Sequence, residues 1–592
     1  MADLREQILD KFGDDLDDKV VHECISLCKL YTLQPEDLYY KWEAKTTNWS
    51  NHFEQTARRF DMSSVLELKT GLQRDLEERD KKARAKKMGG AARIAMRLPP
   101  GQKGNLRKQQ PQKAAAVKAE DVPMDLVNTV SFKGPKEKRA YRYMYETVLQ
   151  KSQVLDEQLI QFENMVRREF KMNQLEFGNP SAMTEMDVLV AGRISHDTEE
   201  TTTTKVDDTT LLLETSSESG EGLRIALRFS PEVQIRNGVK GTEGLGLFPG
   251  ARVLLEGKNA GGGTFTVTKI VVSPQLRTRA VAPRLKPEPQ KLKLDPDFAM
   301  DLDEVPKPST EDDDKPEPIT AFSAAICCGP YTADKDLEFK PWHALVAALK
   351  QKKPSVIILL GPFVDAGHLS IRDGDVDCSP LQLFQRRMLR DIRGHLDANP
   401  GVRVLLIPSI RDLIGGHAVY PQAEFDSNVT SGDPRIHLLP NPATFSLNGV
   451  QFGATSVDVV HHLRTQEVSI KGEETEVLDS GLPSDTDGMA NTCRHLLQQR
   501  SFYPIYPPPI EESDRVNLDV GHSADLEMRT LEGEYAPDVL IVPTKLKQFV
   551  KHLEGTTAVN PGFLTKGCFA MMRVGEEGGT PVERISVEIV RI

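Results

Sequence analysis

Apolar residues in the first 79 positions recur at helical spacing, as Leu4, Ile8 and Phe12, then Val21, Ile25 and Cys28. Pro35 with Glu36 and Asp37 has the form of a first helical turn, where proline is tolerated and acids face the positive end of the dipole. Ser64-Val65-Leu66-Glu67 matches a capping box, and Val65, Leu68, Leu72 and Leu76 follow on one face. Residues 1–80 are thus expected to form a helical bundle with Trp42, Trp49, Phe53 and Phe60 in its core. Residues 135–170 give a second helical pattern through Tyr141, Tyr145, Val148, Leu155, Leu159, Phe162 and Val166. The period then shortens. Val188–Val190, Leu211–Leu213, Leu223–Phe229, Val253–Leu255 and Phe265–Val267 are short strand-like runs between Gly- and Thr-rich turns. They predict a small barrel of OB type within 171–294. Beyond residue 319, strands Ala324–Cys328, Val356–Leu360 and Val402–Ile407 alternate with helical Pro341–Lys350 and Leu381–His395. That alternation predicts an α/β domain over 319–592, continuing to the C-terminus, and a multidomain α+β chain.

Composition adds two linkers. Residues 81–118 hold 12 Lys or Arg and no Asp or Glu. With few large apolar side chains, 81–134 cannot offset its ordering entropy and is expected to be a disordered basic linker. Lys81, Lys82, Arg84, Lys86 and Lys87 form an import-like tract, or the solvated end of the preceding helix. Residues 295–318 carry 10 acids against 2 Lys, with five Pro, and read as an acidic linker. The chain of 592 residues has a net charge of −12, which argues against a uniformly basic nucleic-acid coat. Its seven Cys include no C-x-x-C pair, as expected of a reducing interior without a Cys-rich zinc site. No apolar run is long enough for a membrane span, and the acidic start (Asp3, Glu6, Asp10) is unlike a signal peptide.

Candidate chemistry sits where the α/β strands end. The ends read Cys328-Gly329-Pro330, Gly361-Pro362-Phe363-Val364-Asp365, Ser409-Ile410-Arg411-Asp412 and Pro543-Thr544-Lys545. This layout resembles the calcineurin-like metallophosphoesterases, whose strand ends hold two metals about 4 Å apart. Against that pattern Cys328 and Gly329 supply neither Asp nor His, and Pro362 stands where a bridging carboxylate belongs. Only Asp365 and Asp412 survive, Ile410 and Arg411 replace Asn and His, and Thr544 falls where a His pair is expected. Two carboxylates beside a guanidinium cannot hold two divalent ions, so no catalytic residue, metal or cofactor is expected. His461 and His462 have no catalytic spacing and read as packed or surface residues. Gly241–Gly246 lacks a Walker lysine and reads as a turn. Ser501–Ile510 places Phe502, Tyr503 and Tyr506 among prolines, as contact surface for a partner or as cover for its own domain. Residues 185–275 contain Phe229, Phe248 and Phe265 but no Tyr or Trp, a poor platform for stacking bases.

The order of bundle, linker, barrel and degenerate phosphoesterase resembles the B-subunit family of DNA polymerases alpha, delta and epsilon, in particular its alpha–primase branch. The residues that carry this are Tyr141–Tyr145, Leu247-Phe248-Pro249-Gly250, Cys328–Tyr331, Gly361–Asp365, Pro408–Asp412, Ser501–Pro504 and Asn560-Pro561-Gly562. The resemblance implies a nuclear, non-catalytic regulatory subunit that binds the C-terminal domain of the polymerase alpha catalytic subunit. It implies primase small and large subunits as partners through the complex, and other replication factors docking on residues 1–80. DNA is expected to be touched weakly or indirectly, and membranes not at all. The alternatives are a B subunit of another replicative polymerase and a single-strand-binding replication factor. Family linkers carry proline-directed phosphorylation sites, yet residues 70–134 contain no Ser-Pro or Thr-Pro.

Overall fold

The computed structural model describes residues 130–170, 176–196, 207–278, 319–477, 481–576 and 580–592 apart from isolated positions, with seven scattered positions before them. The import-like tract Lys81–Lys87, the basic linker up to residue 129 and the acidic linker 295–318 lie outside the described residues. Two compact units are Met1–Asp121 and Val122–Ile592. In the first, Ile8, Val20, Val21, Cys24, Cys28, Tyr39 and Val65 are helical, and all but Tyr39 are buried. The rest of the expected bundle lies outside the described residues.

The second unit opens on β1 (Phe132–Lys133), an irregular stretch, and helix α1 (Val148–Glu169). Two expectations are corrected here. Residues 130–134 belong to the fold rather than to the linker: Val130 is 1% exposed, and Phe132 stacks on His437 at 4.2 Å. Residues 135–147 are not helical, because Thr147 and Gln150 form the capping box that starts α1 and Met144 sits at φ 64°. The barrel strands are β2 (Val188–His196), β3 (Leu211–Glu214), β4 (Arg224–Arg236), β5 (Gly244–Leu247), β6 (Arg252–Lys258) and β7 (Thr264–Val271). Five of them close in the order β4-β3-β2-β6-β7, with β4 also pairing β7. Leu211 and Leu213, Ile225 and Leu227, Val253 and Leu255, and Phe265 and Val267 point inward with period two. Helix α1 lays Phe162 and Val166 on Ala191, Leu254 and Val271 outside the barrel.

The α/β part has two six-stranded sheets. The first uses β8 (Phe322–Cys328), β9 (Val356–Leu360), β10 (Arg403–Ile407) and β11 (Ile436–Leu438). The second begins with β12 (Ala443–Leu447) and β13 (Val450–Ala454), followed in the chain by β14 (Val468–Lys471) and β15 (Glu473–Thr475), which leave for the barrel. The remaining strands are β16 (Val539–Ile541), β17 (Phe549–Leu553), β18 (Thr556–Asn560), β19 (Cys568–Val574) and β20 (Ile585–Arg591). The sheet orders are β11-β10-β9-β8-β19-β20 and β1-β12-β13-β16-β18-β17. Alternate residues decide the layers. Ile326, Ile358, Leu405 and Ile407 meet Phe445, Phe452, Val539 and Ile541 between the sheets. Ile357, Leu359, Val404 and Leu406 face outward onto α2 (Lys340–Lys352) and the helical run 380–398. On the far side, Leu540 and Val542 pack on α3 (Val459–Gln466) and α4 (Gly488–Gln498), in one core that continues into the barrel. Strands buried on both faces explain the unbroken apolar runs Val356–Leu360 and Val404–Ile407.

The expected alternation to the C-terminus is a further correction. After β11 the chain turns to antiparallel pairs, β12 with β13, β17 with β18 and β19 with β20. Asn448-Gly449 and Glu554-Gly555, all at positive φ, are the two-residue turns of the first two pairs. The Gly241–Gly246 turn is partly a strand, since β5 pairs with β14. The three-residue β15 pairs with β4, so the α/β part adds a strand to the barrel sheet.

Candidate functional site at the strand ends

Four strand ends meet at one cleft of about 90 Å³. Cys328, Gly329, Pro362, Ile410 and Arg411 line it, joined by Lys545, Asp458, His461, His462, Glu512 and Arg515. Asp365, Asp412 and Thr544 do not line it and are 6%, 5% and 0% exposed.

Asp412 braces the loops after β9 and β10. Its Oδ1 accepts backbone N–H groups from Phe363 and, at 3.1 Å, Val364, while Oδ2 accepts from Ser409 at 2.9 Å. Gly361 makes room for it, since a Cβ there would lie 2.1 Å from Oδ2. Burial pushes the Asp412 carboxyl up to about 7, although the three N–H groups favour its ionised form. Asp365 Oδ1 accepts Arg411 Nε at 3.0 Å and the Gly367 amide at 2.9 Å, and Arg411 Nη2 donates to Oδ2. Both surviving carboxylates are therefore engaged by protein donors. The Cys328 thiol donates to Gly361 O at 3.5 Å, and burial raises it far above its ordinary range, so it stays protonated. Thr544 donates its amide to Asn560 Oδ1 at 3.1 Å.

The opposite wall is a cluster that the sequence reading passed over. Asp458 caps α3 by accepting the His461 amide at 3.1 Å, and it also accepts the Lys545 amide at 2.8 Å. Glu512 lies 3.1 Å from Lys545 Nζ, 3.0 Å from Arg515, 3.6 Å from His461 and 3.8 Å from His462. Burial opposes ionisation of Glu512, but the Lys545 hydrogen bond and the surrounding cations outweigh it and hold its carboxyl below the ordinary range. His462, with Nδ1 3.1 Å from the Tyr503 hydroxyl, is pushed down to about 4 by burial and is neutral at pH 7. A capping Asp three residues ahead of paired histidines was the local signal. Glu512 lies fifty residues downstream and gave none.

Of the two readings of Ser501–Ile510, burial of Phe502 and Tyr503 supports cover for its own domain rather than contact with a partner. The two residues are 1% and 3% exposed and share a core with Leu496 and Leu540. Burying two aromatic rings against that core is worth more than leaving them in water. Tyr506 is half-buried and donates its amide to Pro249 O of the barrel at 3.0 Å. Among the barrel aromatics, Phe248 and Phe265 are fully buried and Phe229 packs on the same core. Among the described residues, one group of three metal-type side chains, Glu146, Asp519 and His522, has ligand atoms within 4.8 Å of one another. It lies apart from the cleft lining, and His522 Nδ1 already hydrogen-bonds Asp519 at 3.0 Å. No helix among the described residues is long and apolar enough to cross a membrane.

Comparison with known proteins follows the same layout. The N-terminal family of the DNA polymerase alpha B subunit matches residues 2–57, and the OB domain of that same protein matches 152–273. The DNA polymerase alpha/epsilon B-subunit family matches residues 324–551. The DNA polymerase alpha B subunit of Schizosaccharomyces pombe is 29% identical over 438 residues, covering 72% of this chain and 66% of that protein. The Saccharomyces cerevisiae protein of the same name is 26% identical over 459 residues, covering 72% and 58%. That of Drosophila melanogaster is 30% identical over 237 residues, covering 40% and 34%. The chain thus spans two thirds or less of the length of these relatives. A solved protein of Thermus thermophilus overlays 46% of this chain and 99% of its own, at 11% identity and TM-score 0.23, a likeness too slight to argue from. Three matches of one kind, in order along a chain whose barrel and α/β part share a core, place it in the DNA polymerase alpha/epsilon B-subunit family.

Proposed function

We propose that the chain is a non-catalytic B subunit of DNA polymerase alpha–primase, acting in the nucleus as a scaffold for primer synthesis. Its barrel and α/β part would bind the C-terminal domain of the polymerase alpha catalytic subunit, with both primase subunits joined through that complex. Residues 1–80 would dock other replication factors. The observation that carries this reading is the shared core: β14 pairs with β5 and β15 with β4, so the barrel and the α/β part form one body that could be bound as a unit. The site chemistry agrees with a degenerate phosphoesterase, since Arg411 pairs with Asp365, and Asp412 is taken up by backbone amides. Guanidinium in the cleft opposes a divalent cation there.

Co-expression with the C-terminal domain of the catalytic subunit tests the assignment. The full chain and a chain starting at Val122 should both copurify with that domain. Retention by residues 1–121 alone would overturn it. The absence of catalysis is tested by elemental analysis, which should find no stoichiometric Mn, Fe or Zn. Near one metal per chain, lost in Asp365→Asn, would sink that part.

A further inference from the structure

Beneath α1 lie two cavities of about 410 and 300 Å³, whose walls share Gln161, Arg252 and Glu527. Five arginines line them, Arg168, Arg500 and Arg529 the larger, Arg193 the smaller and Arg252 both, beside the carboxylates Glu157, Glu527 and Glu534. Arg193 is 3% exposed; its Nη2 pairs with Glu214 at 3.1 Å and its Nη1 donates to Leu155 O at 3.3 Å, but its buried Nε has no partner. Arg500 reaches Glu169 and Glu534 at 3.5 and 3.9 Å and donates from Nη2 to Pro274 O at 3.4 Å, and its Nε is likewise buried without a partner. Arg252 donates from Nη2 to the Gln499 carbonyl and lies 5.8 Å from the Phe162 ring. Among the described residues, no carboxylate forms an ion pair with Arg252. Burial pushes Arg252 down to about 10, with Glu527 resisting and the like charges of Arg193 and Arg500 adding to the depression.

Arg193 and Arg500 are partly neutralised by Glu214, Glu169 and Glu534, whereas Arg252 is a buried charge without an ion pair, which is costly unless an anion enters. The unpartnered Nε groups of Arg193 and Arg500 and the unpaired charge of Arg252 suit a multiply charged one. Planar guanidinium forks match phosphate oxygens in pairs, and the cavities have the size of small-ligand sites. Gln499 lines the larger cavity as well and adds an uncharged polar wall. We propose that this chamber binds a small polyanion bearing phosphate groups, held by Arg193, Arg252 and Arg500. It is separate from the strand-end cleft and does not rest on the proposed scaffold role.

The test uses the full chain, with pyrophosphate, ATP and inositol hexakisphosphate as probes in calorimetry and thermal-shift assays at low salt. At least one should bind near one per chain and raise the melting temperature, and the strongest probe distinguishes a nucleotide from an inositol phosphate. Arg252→Gln and Arg500→Gln should each weaken binding about tenfold or more. Should Arg252→Gln fail to fold, the exposed Gln161→Glu decides. It places a carboxylate in the shared wall, so it should weaken the polyanion and raise the melting temperature of the unliganded chain. Binding of none of the probes at about 1 mM, or binding that survives these substitutions, would overturn the site. So would an oligoglutamate peptide binding as tightly as the best phosphate, which would make the occupant a protein segment.

Discussion

Asp412 is a buried acid ringed by donors, and burial and hydrogen bonding act on it in opposite directions. In the folded chain it titrates at about 7, against an ordinary 3.8. The folded state therefore binds the extra proton across that window, and stability falls as pH rises through it. Below the ordinary value the Asp412 contribution is fully present, and above about 7 it is lost. Melting curves between these limits should slope downward with pH, and Asp412→Asn should flatten that slope. The same substitution turns an amide toward backbone N–H groups and should cost on the order of 2 kcal/mol, read by denaturant titration. Phe502→Ala removes a ring from a closed core and should cost about 3–5 kcal/mol, with a matching drop in melting temperature. An unchanged melting temperature would return Phe502 to the surface. The Asp365–Arg411–Asp412 group was legible in sequence because each residue sits at a strand end. Glu512 was not, because only folding brings it to His461 and Lys545. Burial of Phe502 was equally hidden, since an apolar, proline-stiffened segment reads the same whether it meets a partner or its own core.

At the scale of elements, the barrel docks through a backbone contact that tolerates no side chain. Gly250 has φ +96°, and a Cβ there would lie 2.3 Å from Tyr506 N and 2.4 Å from Pro504 O. Gly250→Ala should destabilise the unit by more than about 2 kcal/mol in chemical denaturation. A near-neutral result would mean that the barrel and the Pro504–Tyr506 segment separate freely. The barrel strands and the first three α/β strands were readable because their period or their unbroken apolar runs mark burial on one face or both. The C-terminal hairpins were missed although Asn448-Gly449 is a strong turn signal, because the preceding alternation set the expected pattern. Strands β14 and β15 carried no signal of their own. Val468–Lys471 is short, half polar and stabilised by pairing with Gly244–Leu247, a partner more than 200 residues away.

For the whole molecule, the shared core means that the barrel has no separate stability to lose. A chain starting at Val122 should unfold in one calorimetric transition, and two resolved transitions would show that the barrel and α/β part are independent domains. The layered body itself was visible in sequence only as two adjoining domains, because interlocking is a property of distant pairings. One small piece, β1, has a larger consequence than its two residues suggest. Phe132 and Lys133 pair with Leu447 and Ser446 on the outer side of β12, where the second sheet would otherwise end in open hydrogen-bonding groups. A bare edge of that kind is a template for another molecule's strand, and β1 blunts it with a stub too short to extend. By that argument β1 protects the edge from pairing with a second chain. Chains cut just after Lys133 should keep their fold but pass from monomer to higher-order species as concentration rises in sedimentation, while chains starting at Val122 stay single.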